Sequence, residues 1–276
     1  IIYSLKCLFL QYLYNLSDPQ LEDALIDRLS FQRFLGISFE EEIPDFTTIW
    51  RFRERLAKSG VLDKLFEHIL NMLEEKGLIL RRGTLIDASI IQSARRPRTK
   101  TPDSVDNEGN KGNEENSSAQ QDHDADFQKR GNRSYYGYKA HIGVDEGSGI
   151  IRKGRFTSAS VHDSQEFEKL LCGDEASVFA DKAYADRSRK RQLRRQGVYC
   201  GILDKAYRNR PLSTRQKKRN HQKSRVRGVV ERVFAHFKRH YGFSRVRYVT
   251  RARNEVQFKF LCMIYNVRRG LALMPA

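Results

Sequence analysis

Long apolar runs are missing from this chain, and so are cysteine pairs at metal or redox spacing. The most apolar stretch, Ile1 to Leu16, is interrupted by Lys6 and Gln11 and falls short of the about 20 residues that a spanning helix needs. It also lacks the basic start and small-residue cleavage site of a secretory leader. A buried helix is expected there, and no membrane partner. Cys7, Cys172, Cys200 and Cys262 are dispersed, which predicts reduced core thiols and a cytoplasmic protein rather than a disulfide framework. The chain starts at Ile1 without a methionine, so residues are expected to precede it. No internal repeat is present.

Acids are scarce where the bases gather. The 276 residues include 51 Lys and Arg against 34 Asp and Glu, a formal net charge of +17. Folding does not require that excess, and self-repulsion makes it costly. A polyanionic partner is expected, and double-stranded DNA suits it better than a membrane surface. Between Arg187 and Arg253 stand 23 Lys or Arg against two acids, Asp204 and Glu231. Between Thr101 and Asp126 the balance reverses, with eight acids against Lys111.

Residues 1 to 80 carry helical signals. Ser17 precedes Asp18 and Pro19 as a cap followed by proline in the first turn, and Asp45 and Thr47 can cap a helix over 48–58. Apolar residues recur at helical spacing through 61–76, where Gly77 closes the helix. Trp50, Arg51, Arg53 and Arg55 share one helix, as a helix-turn-helix DNA reader would require; a bundle that only supports the core fits equally. After Gly83 strands are expected at 84–91, 136–145 and 150–158, the last two joined by a turn holding Gly147 and Gly149. A short helix at 164–171, a buried strand at 177–181, a basic helix at 187–196 and a strand near 198–203 follow. Two long helices, 213–240 and 254–273, end the chain. These signals predict an α/β fold: an all-helical N-terminal domain over 1–80, then a mixed-sheet catalytic domain over 81–276. Residues 95–133, polar and poor in large apolar groups, read as a disordered insertion.

Asp87 and Asp181 each follow a run that reads as a buried central strand. Sites in such sheets are built at strand ends. Either acid alone would suit a turn cap; two at equivalent positions point to a shared centre. Stepping about 100° per residue along the long helix, Val226, Val230, Val233 and Phe237 form the face toward the sheet. Ser224, Arg227, Glu231 and Lys238 fall within roughly 60° of one another on its flank. Arg227, four residues before Glu231, is placed to hold it by an ion pair. Three converging carboxylates suit two hard divalent cations, Mg²⁺ or Mn²⁺, acting on a phosphodiester. His141 and the His162-Asp163 pair are weaker candidates, since such chemistry does not need imidazole. Asp122, Asp124 and Asp126 read as a solvated linker. Tyr135, Tyr136 and Tyr138 suit base stacking, although alternation puts at least one in the core.

Taken together, these residues resemble the D-D-E transposases of bacterial insertion sequences, specifically the insertion-sequence-five group. The likeness runs through Gln11–Glu22, Leu29–Gly36 and Pro44–Arg53, which look like that group's helical DNA-binding region. Leu85-Ile86-Asp87-Ala88 is similar to the strand with the first catalytic aspartate, and Asp181-Lys182-Ala183-Tyr184 to the segment with the second. Arg227, Glu231 and Lys238 match the C-terminal signature, with Ser224 where the family has tyrosine. The resemblance implies an RNase H-like fold and catalysis by Asp87, Asp181 and Glu231. It further implies nicking at the terminal inverted repeats, then attack of the freed 3′-hydroxyl on target DNA, without a covalent protein–DNA intermediate. Lys238 would touch the DNA end, Arg227 would support Glu231, and Lys182, Tyr184, Arg51 and Arg53 would contact or support DNA. Synapsis of two ends would call for a homodimer working in the bacterial nucleoid. An inactive copy acting as a repressor, or a nuclease that cuts without joining, would carry much of the same sequence.

Overall fold

The computed structural model describes residues 1–38, 41–95 and 121–274. Five helices come first: α1 (Ile2–Leu13), α2 (Asp18–Asp27), α3 (Leu29–Leu35), α4 (Phe46–Ser59) and α5 (Val61–Glu75). Their ends follow local chemistry. Ser17 and Gln20 form a reciprocal capping box at α2, and Asp45 accepts from the Thr48 amide at α4. Gly36, Gly60 and Gly77 then close helices or turns at positive φ, where a Cβ is disfavoured.

Among the described residues six strands form one sheet: β1 (Thr84–Gln92), β2 (Asp126–Arg130), β3 (Arg133–Asp145), β4 (Ile151–Ser158), β5 (Ser177–Ala180) and β6 (Tyr199–Cys200). β3 pairs antiparallel with β1, β2 and β4, whereas β1–β5 and β5–β6 are parallel. Gly137 sits where β3 meets both β1 and β2; a Cβ there would lie 2.2 Å from the Ile91 carbonyl oxygen. Helix α6 (Arg187–Arg195) connects β5 to β6, and α7 (Thr214–His240) and α8 (Arg251–Leu273) follow. The expected face of α7 is the buried one: Val230, Val233 and Phe237 have no exposed surface, and Val226 packs beside them.

The N-terminal helices do not stand apart. Their apolar residues join those of β1, β3, α7 and α8 in one core, with Tyr12 and Phe260 rings 5.5 Å apart. Arg253 pairs with Glu54 and Lys259 with Asp63, each at 2.6 Å, across the same boundary.

Several expectations change. Of the segment expected to be disordered, 96–120 lies outside the described residues, but 121–133 is ordered and supplies β2. Asp122 is fully buried rather than solvated. Its carboxylate accepts from Ser93 Oγ and Tyr138 OH, each at 2.7 Å, and from the Thr250 amide at 3.2 Å. Asp124 accepts from the Arg251 amide in the first turn of α8, where an anion suits the helix end. Tyr136 and Tyr138 are core residues, so base stacking is closed to them. The helix expected over 164–171 is two 3-10 turns, Asp163–Gln165 and Glu168–Leu170, and Phe167 and Leu170 both pack into a smaller apolar cluster with Ile86, Val178 and Tyr184.

Arg53 is the clearest correction. Its side chain is 1% exposed, pairs with Asp18, donates to Gln11 Oε1 at 3.1 Å and stacks 4.4 Å from the Tyr248 ring. It joins α1, α2 and α4 from inside and offers nothing to DNA. Arg51, two residues earlier, is exposed.

Candidate active site

The site begins with strand register. β1 and β5 pair through Thr84–Val178, Leu85–Phe179 and Ile86–Ala180. One step further, Asp87 and Asp181 come side by side. β5 stops there, but β1 continues to Gln92, so Asp87 lies in mid-strand and not at a strand end as expected. The resulting notch runs along β1 until Gln92 meets Ser244 and Val246. Asp181 starts a 3-10 turn, Lys182–Tyr184, without capping it through its side chain. Its carboxylate is therefore not tied up in the turn.

Helix α7 brings the third acid. Side chains alternate across a strand, so Asp87 shares a face with Leu85, which packs in the core with α7 residues. Arg227 lies between the acids: its guanidinium is 3.5 Å from Asp87, 3.8 Å from Asp181 and 3.8 Å from Glu231. The expected Arg227–Glu231 pair is present, and the same cation reaches both aspartates. Arg227 is 7% exposed and its Nε is buried without a partner. Burial pushes the Asp87 carboxyl up to about 6; Arg227 and the Ala88 amide oppose that shift, and the charges of Asp181 and Glu231 add to it.

These features fit a hard divalent cation. All donors are carboxylates, as Mg²⁺ or Mn²⁺ prefers, and they already surround a positive charge. The acids do not close to within 4.8 Å of one another; among the described residues Cys172, Asp174 and Glu175 do. That second group is occupied internally. Arg152 holds Asp174 through two bonds of 2.8 and 2.6 Å, while Glu175 accepts from the Gly173 amide and from Thr84.

Asp87 and Asp181 line a cleft of about 200 Å³ together with Ser89, Gln128, Arg130 and Lys139. Asp163 and Tyr184 lie on the same wall. Lys139 pairs with Asp163 at 2.9 Å and donates to the Val161 carbonyl. Gln128 and Arg130 went unrecognised because their segment reads as an insertion, and Lys139 carries no motif. His141 is a core imidazole: it contacts Thr157 Oγ1 at 2.9 Å, and burial holds its pKa down to about 4. The Tyr184 ring is buried against Phe167, but the side chain lines the cleft and its hydroxyl has no partner. Lys182 and Ser224 are exposed. Lys238, also exposed, has its amine lowered by partial burial and then by Arg130, while Asp87 acts in the opposite sense.

Comparison with known proteins gives the same direction. The family model described as "Transposase DDE domain" matches residues 79–267. A second, "Transposase domain (DUF772)", matches residues 3–55. One similar solved structure is that of a piggyBac transposase synaptic complex with hairpin DNA, at 11% identity and a TM-score of 0.47. The alignment covers 97% of this chain and 66% of that one, so the present chain spans just under two thirds of its length. Because the first family model spans most of the sequence and includes all three acids, the chain belongs to the transposase DDE-domain family.

Proposed function

We propose that Asp87, Asp181 and Glu231 are the catalytic acids of this transposase and that together they hold two divalent cations, Mg²⁺ or Mn²⁺. The observation that carries this reading is the Arg227 guanidinium, which all three carboxylates approach to within 3.8 Å. Such ions, when bound, activate the attacking oxygen and stabilise the leaving oxygen of an in-line phosphoryl displacement. The chain's own part is to gather the acids, strip water from Asp87 and keep a positive charge near them until DNA arrives. Asp87 must be ionised to serve as a ligand, and burial works against that until a cation binds. Lys238 holds the DNA end, and the bases of α6 and the first half of α7 hold the phosphate backbone.

The mixed sheet, antiparallel around β3 and parallel from β1 to β6, supports the RNase H-like fold. The Arg227, Glu231 and Lys238 spacing supports membership of the insertion-sequence-five group. The reaction is nicking at the terminal inverted repeats followed by strand transfer into target DNA, in a homodimer that pairs two ends in the bacterial cytoplasm. No described helix is long and apolar enough to cross a membrane.

A strand-transfer assay tests this with DNA flanking the coding segment and Mg²⁺ or Mn²⁺. Joined product is expected from the wild type, and none from Asp87→Ala, Asp181→Ala or Glu231→Ala. Full activity in any one variant removes that residue from the centre. Cleavage without joining identifies a nuclease, and binding without any product identifies a repressor.

A further inference from the structure

We infer that strand β2 forms the substrate-gripping wall of the active-site cleft, with Arg130 holding one phosphate of the DNA strand to be cut. The inference rests on the proposed transposase reading and adds to it a residue outside the family signature.

Geometry places β2 there. Residues two apart on a strand share a face, and Gln128 and Arg130 both line the cleft that holds Asp87 and Asp181. Phe127, between them, packs against Tyr136 with ring centroids 4.7 Å apart and fixes the strand on β3. A tight return at Gly131, φ 60°, keeps the hairpin short.

Unmet hydrogen-bonding capacity shows that the cleft is suited to a polar ligand. The Tyr184 hydroxyl is buried without a partner on a side chain that lines the cleft, and it can donate to an anionic oxygen; Gln128 Oε1, also without a partner, can only accept. Buried polar atoms without partners are rare in native proteins and call for an explanation.

Charge gives the ligand its class. Lys139, also on the wall, is already neutralised by Asp163. Arg130, on the same wall, is not: among the described residues no carboxylate lies within ion-pair distance of it. An unpaired cation lining the cleft beside the acids is placed to hold an anion. A guanidinium suits a phosphodiester oxygen pair, which it can hold through two parallel N–H donors. A DNA strand brings such a phosphate to the place where the chemistry occurs.

The test is binding without metal, in EDTA, followed by fluorescence anisotropy. The probes are a labelled duplex from the DNA flanking the coding segment and a scrambled duplex. Arg130→Ala is expected to bind more weakly, and the slope of log affinity against log salt should fall by about one. Single methylphosphonate substitutions then locate the phosphate. One position near the cut should weaken wild-type binding and be silent in Arg130→Ala, but not in Lys129→Ala, which removes a neighbouring cation outside the cleft. Arg130 is exposed, so the variant should fold; an unchanged melting temperature checks this. If every methylphosphonate costs Arg130→Ala as much as it costs the wild type, the Arg130 contact is refuted while the transposase reading stands. If the wild type binds neither duplex, the transposase reading itself falls.

Discussion

Arg227 and Asp87 approach to 3.5 Å from separate elements, helix α7 and strand β1. That distance is too long for a strong hydrogen bond. The cation therefore moderates the acids without locking them, and Asp87 still has its pKa raised to about 6.

A stability consequence follows for Asp87. Its folded pKa, about 6, lies above the ordinary 3.8, so the folded state holds the proton more tightly than the unfolded one. This contribution to stability is fully present below pH 3.8 and is lost as pH rises through about 6. Asp87→Asn mimics the neutral acid. In EDTA at neutral pH it should melt higher than the wild type, by the equivalent of about 1–3 kcal/mol. The gain should shrink to nothing near pH 4, which thermal melts across pH would show. His141 titrates in the opposite sense, losing its contribution as pH falls, but it is present in both proteins and cancels.

Removing Arg227 should expose the repulsion that it moderates. Arg227→Met is expected to lose about 1–3 kcal/mol in EDTA. Mn²⁺ should then raise its melting temperature more than it raises that of the wild type. An equal rise in both would mean that Arg227 and the ions do not act on the same carboxylates.

Asp122→Ala should be among the most damaging changes outside the active site. It leaves the Ser93 and Tyr138 hydroxyls and the Thr250 amide without their shared acceptor, at a cost of about 2–4 kcal/mol. Denaturant unfolding measures it, and a loss below a few tenths would show that water replaces the carboxylate easily.

Arg51 and Arg53 should separate cleanly. Arg53→Ala should destabilise the protein by roughly 2–4 kcal/mol by leaving Asp18 partly buried and unpaired. Its salt dependence of DNA binding should stay that of the wild type. Arg51→Ala should leave stability unchanged and lower the salt slope, if α4 presents its exposed side to DNA. The reverse pattern would place Arg53 on the DNA.

Much of this architecture is readable from local chemistry. Ser17 with Gln20, Asp45, and Ser213 with Gln216 mark helix starts through side-chain caps. The Val230, Val233 and Phe237 stripe shows which side of α7 meets the sheet, and so where Glu231 must lie. What local pattern could not carry was partnership across distance. Asp122 looks solvated among polar neighbours until Ser93, Tyr138 and Thr250 converge on it. Arg53 looks like one more surface base until Asp18 is found beneath it. β2 has one large apolar residue, Phe127, too little alternation to announce a strand. Asp87 ends an apolar run inside a strand expected to continue to Ile91; only the β1–β5 register shows that β5 is the strand that stops.

The core shared by Tyr12 and Phe260 has a mechanical corollary. Helices α1, α4 and α5 are fastened to α8, and α8 to the sheet, so the front of the chain cannot swing independently of the acids. DNA gripped along the exposed side of α4 would therefore meet the cutting centre at an offset set by protein packing. The enzyme would act as a ruler, with a constant number of base pairs between the sequence it reads and the bond it breaks.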